Sequence, residues 1–278
     1  MRCRTCLAAV TAVLCLFAAM PARAADDALK AKARELFKAN QEAVVTVKMV
    51  ISMYYVFGGQ QQNKQEYKSE VSGTVVDPSG LTVLSLYASN PNAAMGELAM
   101  SMNGENMEFK IESSVTDSKI VLADGTEIPA VQVLKDKDLD LVFVRPKEKQ
   151  DKAWPFVKFE KAADPAELDE IVVIGRLGRA VNRASSLALG SVQALVQKPR
   201  TFYVCDLATG FASMGCPVFS AKGETLGLAV VRSNPVKGGA MGLFGAMQPV
   251  VLPAEDLLET TRQALSAKPE GEGEAKAE

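Results

Sequence analysis

Residues 202–219 read FYVCDLATGFASMGCPVF, and this stretch decides the fold. The apolar run from Phe202 to Cys205 is typical of a strand, and a second apolar run begins at Pro217. Between the two runs lies a loop of small residues that contains Gly210 and Gly215, and such residues favour tight turns. The stretch therefore predicts two strands of a β-rich fold joined by a compact loop.

The loop resembles the nucleophile loop of trypsin-like serine proteases, most closely that of the HtrA/DegP family, which reads N-P-G-N-S-G-G-P-L-F. Gly215, Pro217 and Phe219 match this pattern. Met214 stands where the family has its nucleophilic serine. The resemblance implies that the backbone N–H groups that would line the oxyanion hole belong to Ala212 and Met214.

A nucleophile could be supplied in only one other way. In a register shifted by one residue, Ser213 takes the nucleophile position. A methionine thioether has no ionisable proton, and a serine hydroxyl needs a base such as imidazole to become reactive. The chain contains no histidine. The sequence therefore predicts that no catalytic site is intact, and a serine endopeptidase with an atypical site at Ser213 is the alternative.

Two further segments resemble parts of the HtrA catalytic triad. The turn at Gly80 and the strand after it resemble the region before the family's T-N-x-H-V motif, and the interval from Gly80 places Tyr87 at the histidine position. A slip of one residue places Ala88 there instead. Residues 135–144 resemble D-x-x-x-D-L-A-V-L, so Asp140 falls on the triad aspartate. We expect the Tyr87 hydroxyl to donate a hydrogen bond to Asp140.

The resemblance extends over about 220 residues and implies the fold class. It implies an all-β protein, a double six-stranded β-barrel of the trypsin-like (chymotrypsin) type with N- and C-terminal helices. The expected domain covers residues 25–266, with barrel one at about 41–150 and barrel two at about 154–252. We expect no PDZ domain after the second barrel, and residues 267–278 have the composition of a disordered tail.

Local patterns predict the elements of this domain. Apolar residues recur at helical spacing near both ends of the domain, and β-branched and aromatic residues mark the strands. We expect helices at 26–40 and 255–265, strands at 43–55 and 68–76, a surface loop at 58–64, a long connection at 90–118, and a hairpin at 119–130.

The N-terminus has the features of a secretory signal peptide over residues 1–24. A short basic start precedes the uncharged apolar run from Cys6 to Met20, and the PARA sequence that follows has the small-x-small pattern that signal peptidase reads. The run is shorter than the ~20 residues that a membrane span needs. We expect a periplasmic or extracellular protein with no membrane span.

Charge and composition limit the classes of partner and ligand that we expect. The formal net charge is −2, and the predicted signal peptide removes three arginines and no acids. This balance argues against nucleic acid, which is bound by clustered basic residues. We expect no cofactor and no metal. The methionine-rich segment at 95–107 could bind soft metals through thioethers, but methionine is more often a flexible apolar residue.

Two cysteines remain after the predicted signal peptide, Cys205 and Cys216. In an oxidising compartment they could form a disulfide or stay free, and spacing alone does not decide between the two. The sequence as a whole favours a pseudoprotease that binds a protein or peptide partner. Assembly into a homo-oligomer, or pairing with an active homologue, would be consistent with that function.

Overall fold

The fold is a pair of antiparallel β-barrels. The computed structural model describes residues 20–57, 60–90, 109–160, 164–233 and 247–268. Within these ranges, twelve strands form two closed barrels of six strands each, with helices at both ends of the chain. The predicted all-β double barrel is confirmed.

Barrel one has the strand order β1-β2-β3-β6-β5-β4. Its interior is filled by alternate residues of β1, since Val47, Met49 and Ile51 are buried and the residues between them are partly exposed. The strands are β1 Val44–Phe57, β2 Gln60–Val75, β3 Thr82–Ser85, β4 Phe109–Val121, β5 Glu127–Asp136 and β6 Leu141–Pro146.

Barrel two has the strand order β10-β11-β12-β9-β8-β7. Its first strand is buried without alternation from Ile171 to Ile174, because one face fills the barrel and the other packs against neighbouring elements. The strands are β7 Glu170–Arg176, β8 Ser185–Val196, β9 Phe202–Cys205, β10 Pro217–Ser220, β11 Thr225–Ser233 and β12 Met247–Pro253.

In the described ranges, three α-helices accompany the barrels: α1 Met20–Asn40, α2 Leu86–Ser89 and α3 Ala254–Ser266. Helix α1 begins before the predicted start, and it packs Leu36 and Phe37 against the core of barrel two. Helix α3 buries Leu257 and Ala264 in the same core. None of the helices in the described ranges has both the length and the apolar character of a membrane span. The predicted signal peptide falls mostly in residues 1–19, outside the described ranges.

The β1–β2 hairpin is longer than predicted. The surface loop expected at 58–64 is wrong for most of its length, because Gln60 already pairs with Phe57 and β2 continues from there. The connection expected at 90–118 is wrong in its second half, where Phe109 pairs with Phe57 and opens β4. In both places the backbone bonds to β1 on the adjacent strand, and this pairing overrides the weak strand propensity of polar residues. The methionine-rich segment at 95–107 lies outside the described residues.

Candidate functional site in the cleft between the barrels

The loop between β9 and β10 faces barrel one across a cleft. The loop contains a turn of 3-10 helix at Gly210–Ser213, and its end is fixed by Gly215. A groove of about 380 Å³ runs between this loop, helix α2 and the outer strands. The residues that line it are Thr46, Glu70, Val71, Ser72, Tyr87, Ala88, Arg176, Leu177, Gly178, Phe211, Ala212 and Met214.

Asp140 lies at the turn between β5 and β6, where its backbone adopts the left-handed region with φ of 60°. The carboxylate is buried and accepts three hydrogen bonds: from the Ser85 hydroxyl at 2.6 Å, the Tyr87 backbone N–H at 2.7 Å and the Val231 backbone N–H at 2.7 Å. Burial raises the pKa of Asp140 to about 6, although these three donors and the Arg232 charge act in the opposite direction. Asp140 therefore ties β3, α2 and β11 together.

The expected hydrogen bond from the Tyr87 hydroxyl to Asp140 is wrong. Tyr87 does meet the carboxylate, but it donates its backbone N–H, and Ser85 supplies the hydroxyl. The Tyr87 ring instead faces Phe211 across the groove, with centroids 6.4 Å apart and planes at 43°. The pattern missed Ser85 because the triad motif marks the strand without identifying which of its side chains turns inward. The neighbouring Ala88, the other candidate for the histidine position, also lines the groove.

The loop's backbone N–H groups are already engaged. Ala212 donates to the Thr209 carbonyl at 3.1 Å, and Met214 donates to the Phe211 carbonyl at 3.2 Å. These are the two N–H groups that the HtrA resemblance assigns to an oxyanion hole. An oxyanion hole requires donors that point into the cleft and are free to stabilise the negative charge that develops in the transition state. Here both donors close turns within the loop.

The side chains at the two candidate nucleophile positions are both buried. Met214 is 1% exposed and packs in the core of barrel two. Ser213 is also 1% exposed, and its hydroxyl is hydrogen-bonded to the Thr209 hydroxyl. The large apolar side chain of this turn is that of Phe211, which is 50% exposed and lies beside the ring of Tyr87. The loop therefore places an aromatic ring, that of Phe211, in the cleft.

Gly215 explains why the loop holds this position. Its φ is +81°, a region that side chains rarely adopt, and a Cβ there would lie 2.4 Å from the Ser72 carbonyl oxygen in β2. Its own carbonyl accepts from the Thr74 hydroxyl at 2.7 Å, and its N–H donates to Ala229 at 2.8 Å. The loop is thus held between strands of both barrels.

Two arginines that the sequence patterns did not single out complete the junction. Arg176 is buried, and its guanidinium donates to the carbonyls of Val44 at 2.6 Å and Gln41 at 3.0 Å and to that of Arg183 at 3.1 Å. Burial lowers the pKa of Arg176. Arg183 makes a two-pronged ion pair with Glu70, in which Nε donates to Oε2 at 3.2 Å and Nη2 donates to Oε1 at 3.0 Å. Apart from the Arg183 carbonyl, the partners of both arginines lie more than a hundred positions away, so no local motif could reveal them.

The two cysteines do not form a disulfide in this structure. Cys205 and Cys216 are both free and buried. Burial raises the pKa of Cys205 to about 12 and that of Cys216 to about 11, so neither is a reactive thiolate at neutral pH. No cluster of three or more His, Cys, Asp or Glu side chains suited to a metal occurs among the described residues.

Comparisons with known proteins agree with this architecture. The model of the trypsin-like peptidase domain matches residues 71–228. No curated protein sequence matches the chain. Among solved structures, a variant of the HtrA-type protease AlgW with a tripeptide is 15% identical with a TM-score of 0.54, and the match covers 84% of this chain and 64% of that one. This chain thus spans less than two thirds of AlgW.

Two other solved structures are similar along nearly their whole length. The protease domain of MamO from Magnetospirillum magneticum, in its apo form, has a TM-score of 0.50 at 16% identity, covering 80% of this chain and 97% of that one. Deg5 has a TM-score of 0.52 at 16% identity, covering 83% of this chain and 92% of that one. Such low identities establish the fold alone. With the family match across more than half of the sequence, they show that this chain belongs to the trypsin-like peptidase domain family.

Proposed function

We propose that this chain is a catalytically inactive, HtrA-like trypsin-fold protein that binds a peptide or protein segment in the groove between its barrels. The observation that carries the proposal is the state of the nucleophile loop. The N–H groups of Ala212 and Met214 donate within the loop, and the Met214 side chain is buried. An acyl-transfer site needs free donors and an accessible nucleophile at these positions.

The absence of histidine supports the same conclusion from the chemistry. A serine hydroxyl at neutral pH needs a base to accept its proton, and the chain has no imidazole to do so. Asp140 cannot take over this role for the loop, because its carboxylate is buried and bonded to Ser85 and to two backbone N–H groups. Its part is to hold the two barrels together.

The shape and polarity of the groove support binding. A volume of about 380 Å³ lies in the range of small-ligand and side-chain pockets. Phe211 is 50% exposed beside the ring of Tyr87, so apolar surface is available to a partner. A pseudoprotease keeps its cleft without a working catalytic site, so it can bind a peptide in that cleft without hydrolysing it.

The first test is hydrolysis. The mature chain is incubated with unfolded casein and, separately, with a fluorophosphonate probe, beside an active trypsin-like protease as positive control. We expect neither cleavage nor labelling, because no group can activate a hydroxyl. The Ser213→Ala variant should behave as the parent protein. Labelling of the parent that disappears in Ser213→Ala would establish the atypical endopeptidase instead.

We also propose that the protein acts outside the cytoplasm, since the first 24 residues have the pattern of a signal peptide. Fractionation of cells that produce the full chain should recover a processed form that begins after Ala24 in the exported fraction. A full-length chain in the cytoplasm would contradict this proposal.

A further inference from the structure

A second depression lies next to the groove between the barrels. That depression has a volume of about 310 Å³ and lies on the outer face of barrel one, against β1, β2 and β4. Glu70 borders both depressions, and Gly178 of the first is followed directly by Arg179 of the second. A single extended ligand can therefore lie across both.

The second depression is lined by charged side chains, and its acids are largely neutralised within the protein. Glu127 is paired with Lys48 and with Lys119, the latter at 3.1 Å. The hydrogen bonds from Lys48 and then from Lys119 lower the pKa of Glu127 to about 2. The charged residues that line the depression are Lys48, Lys68, Glu70, Asp117, Lys119, Glu127 and Arg179.

The cations of this depression outnumber the carboxylates that face them. Glu70 is held by Arg183, which stands at the rim. Lys68 and Arg179 are exposed, and neither makes an ion pair with a carboxylate among the described residues. Asp117 is the one acid of this surface that lacks such a pair within the described ranges. The surface therefore carries an excess of positive charge, although the protein as a whole is slightly acidic.

The first depression has the opposite character. Its lining is mainly apolar, with Val71, Leu177 and Phe211 beside the ring of Tyr87. Its two charged side chains, Glu70 and Arg176, are both engaged, the first with Arg183 and the second with backbone carbonyls. An apolar recess thus lies next to a cationic one.

We propose, on the basis of the binding function put forward above, that the occupant is an extended peptide segment with a large apolar side chain flanked by carboxylates. The apolar side chain lies against Phe211 and Tyr87. The carboxylates lie over Lys68 and Arg179, where opposite charge favours them. The expected ligand is therefore an acidic peptide that carries an aromatic or aliphatic side chain. An apolar cleft alone would not select for the acidic residues.

The test uses fluorescein-labelled peptides on a Gly/Ser background, and binding is measured by anisotropy at low salt. One series carries a Phe and an Asp pair at varied spacing. Matched series replace the Phe by Ala, the Asp pair by Lys, or both. We expect the Phe–Asp series to bind most tightly at its best spacing, and its binding to weaken as salt is raised.

Variants of the protein locate the two contacts. Lys68→Glu and Arg179→Glu should each weaken binding of the Phe–Asp peptide by about fivefold, as expected for losing one exposed charge contact, and should strengthen binding of the Phe–Lys peptide. Lys222→Glu makes the same charge change at an exposed turn outside the groove and should leave both affinities unchanged. Phe211→Ala should weaken both Phe peptides by about tenfold, whereas Leu265→Ala, an exposed apolar truncation on α3, should have no effect.

The outcomes separate this inference from the proposed function. If Phe–Lys and Phe–Asp peptides bind equally and the two charge reversals change nothing, the acidic specificity is wrong and the apolar binding function stands. If no Phe peptide binds, or Phe211→Ala has no effect, peptide binding in the groove is itself wrong. Hydrolysis of a bound peptide would overturn the claim of inactivity.

Discussion

At the scale of single residues, Asp140 is the group whose environment departs furthest from that of an exposed carboxylate. It is buried at the junction, and it receives hydrogen bonds from Ser85, Tyr87 and Val231. Burial nevertheless raises its pKa from 3.8 to about 6. A carboxyl group with a raised pKa binds its proton more tightly in the folded protein than in the unfolded chain. Its ionisation therefore reduces the free energy of unfolding as the pH rises.

This linkage predicts how stability depends on pH. Relative to an Asp140→Asn variant, the parent protein should lose about 3 kcal/mol of unfolding free energy between about pH 3 and pH 7, because a pKa difference of about two units is converted at 1.36 kcal/mol per unit. The contribution is fully present well below the unfolded pKa of 3.8 and is lost as the pH rises through the folded pKa of about 6. Urea denaturation across this range, followed by the fluorescence of the single tryptophan, Trp154, measures the slope.

The asparagine itself carries a constant cost, because its amide nitrogen cannot accept from the Val231 N–H. This lost hydrogen bond lowers the free energy of unfolding of the variant by about 1–3 kcal/mol independently of pH. The parent alone also loses stability as the pH rises through about 6, so the stability deficit of the variant should shrink over that range. Asp138→Asn, a neutralisation at an exposed neighbouring position, should keep the slope of the parent. An Asp140→Asn variant with the parent's slope would show that another group titrates.

At the scale of elements, the loop after β9 is shaped by its fit against β2. Gly215 has a φ of +81°, and the Ser72 carbonyl oxygen lies 2.4 Å from the position that a Cβ would occupy. Gly125, in the β4–β5 hairpin, has a similar φ of +88°, but no atom lies within 4 Å of its Cβ position. A comparison of substitutions at the two glycines therefore separates two costs to stability: that of a left-handed backbone conformation and that of a steric clash with the Cβ.

The pair gives a controlled prediction. Gly125→Ala should cost about 1 kcal/mol of unfolding free energy, the cost of a left-handed alanine. Gly215→Ala should cost more than about 3 kcal/mol, because the Cβ also collides with backbone and the loop must move. Urea denaturation of both variants compares them directly. Equal losses would mean that the loop can shift away from β2 at little cost.

The same scale shows which elements the sequence could predict. Strands with alternating or continuous apolar residues, such as β1 and β7, were predictable because the apolar pattern of each strand indicates by itself which residues are buried. The start of β2 at Gln60 was not, since its glutamines become a strand only through pairing with the end of β1. The Asp-Gly hairpin between β4 and β5 was predictable because its turn residues determine the conformation locally.

At the scale of the whole molecule, the two barrels are joined by hydrogen bonds between distant parts of the chain. Arg176 reaches Gln41 and Val44, Ser72 donates to the Arg176 carbonyl at 2.7 Å, and Thr74 donates to Gly215. The triad motifs pointed to Asp140 and to the loop, but which side chains meet there depends on how the barrels are docked. The position of the candidate site was therefore predictable, and its hydrogen bonds were not.

The junction predicts that both barrels unfold together. Arg176→Met should lower the free energy of unfolding by about 3 kcal/mol or more, because three carbonyl groups lose their donor and the methionine cannot replace it. Urea denaturation read by circular dichroism and by Trp154 fluorescence should give coincident transitions in the parent protein. Arg34→Met, on the exposed side of α1, should change stability by no more than ~0.5 kcal/mol.

The long sequence separation across this junction bears on the order in which the protein acquires its structure. A ribosome delivers the chain from its N-terminus, so the Val44 carbonyl emerges well before Arg176, and Thr74 well before Gly215. Until residue 215 has been made, barrel one lacks the groups that cover its inner edge. The cleft is therefore among the last parts of the newborn protein to form, and a truncated chain that ends before the second barrel would display the partners of that junction to chaperones and proteases.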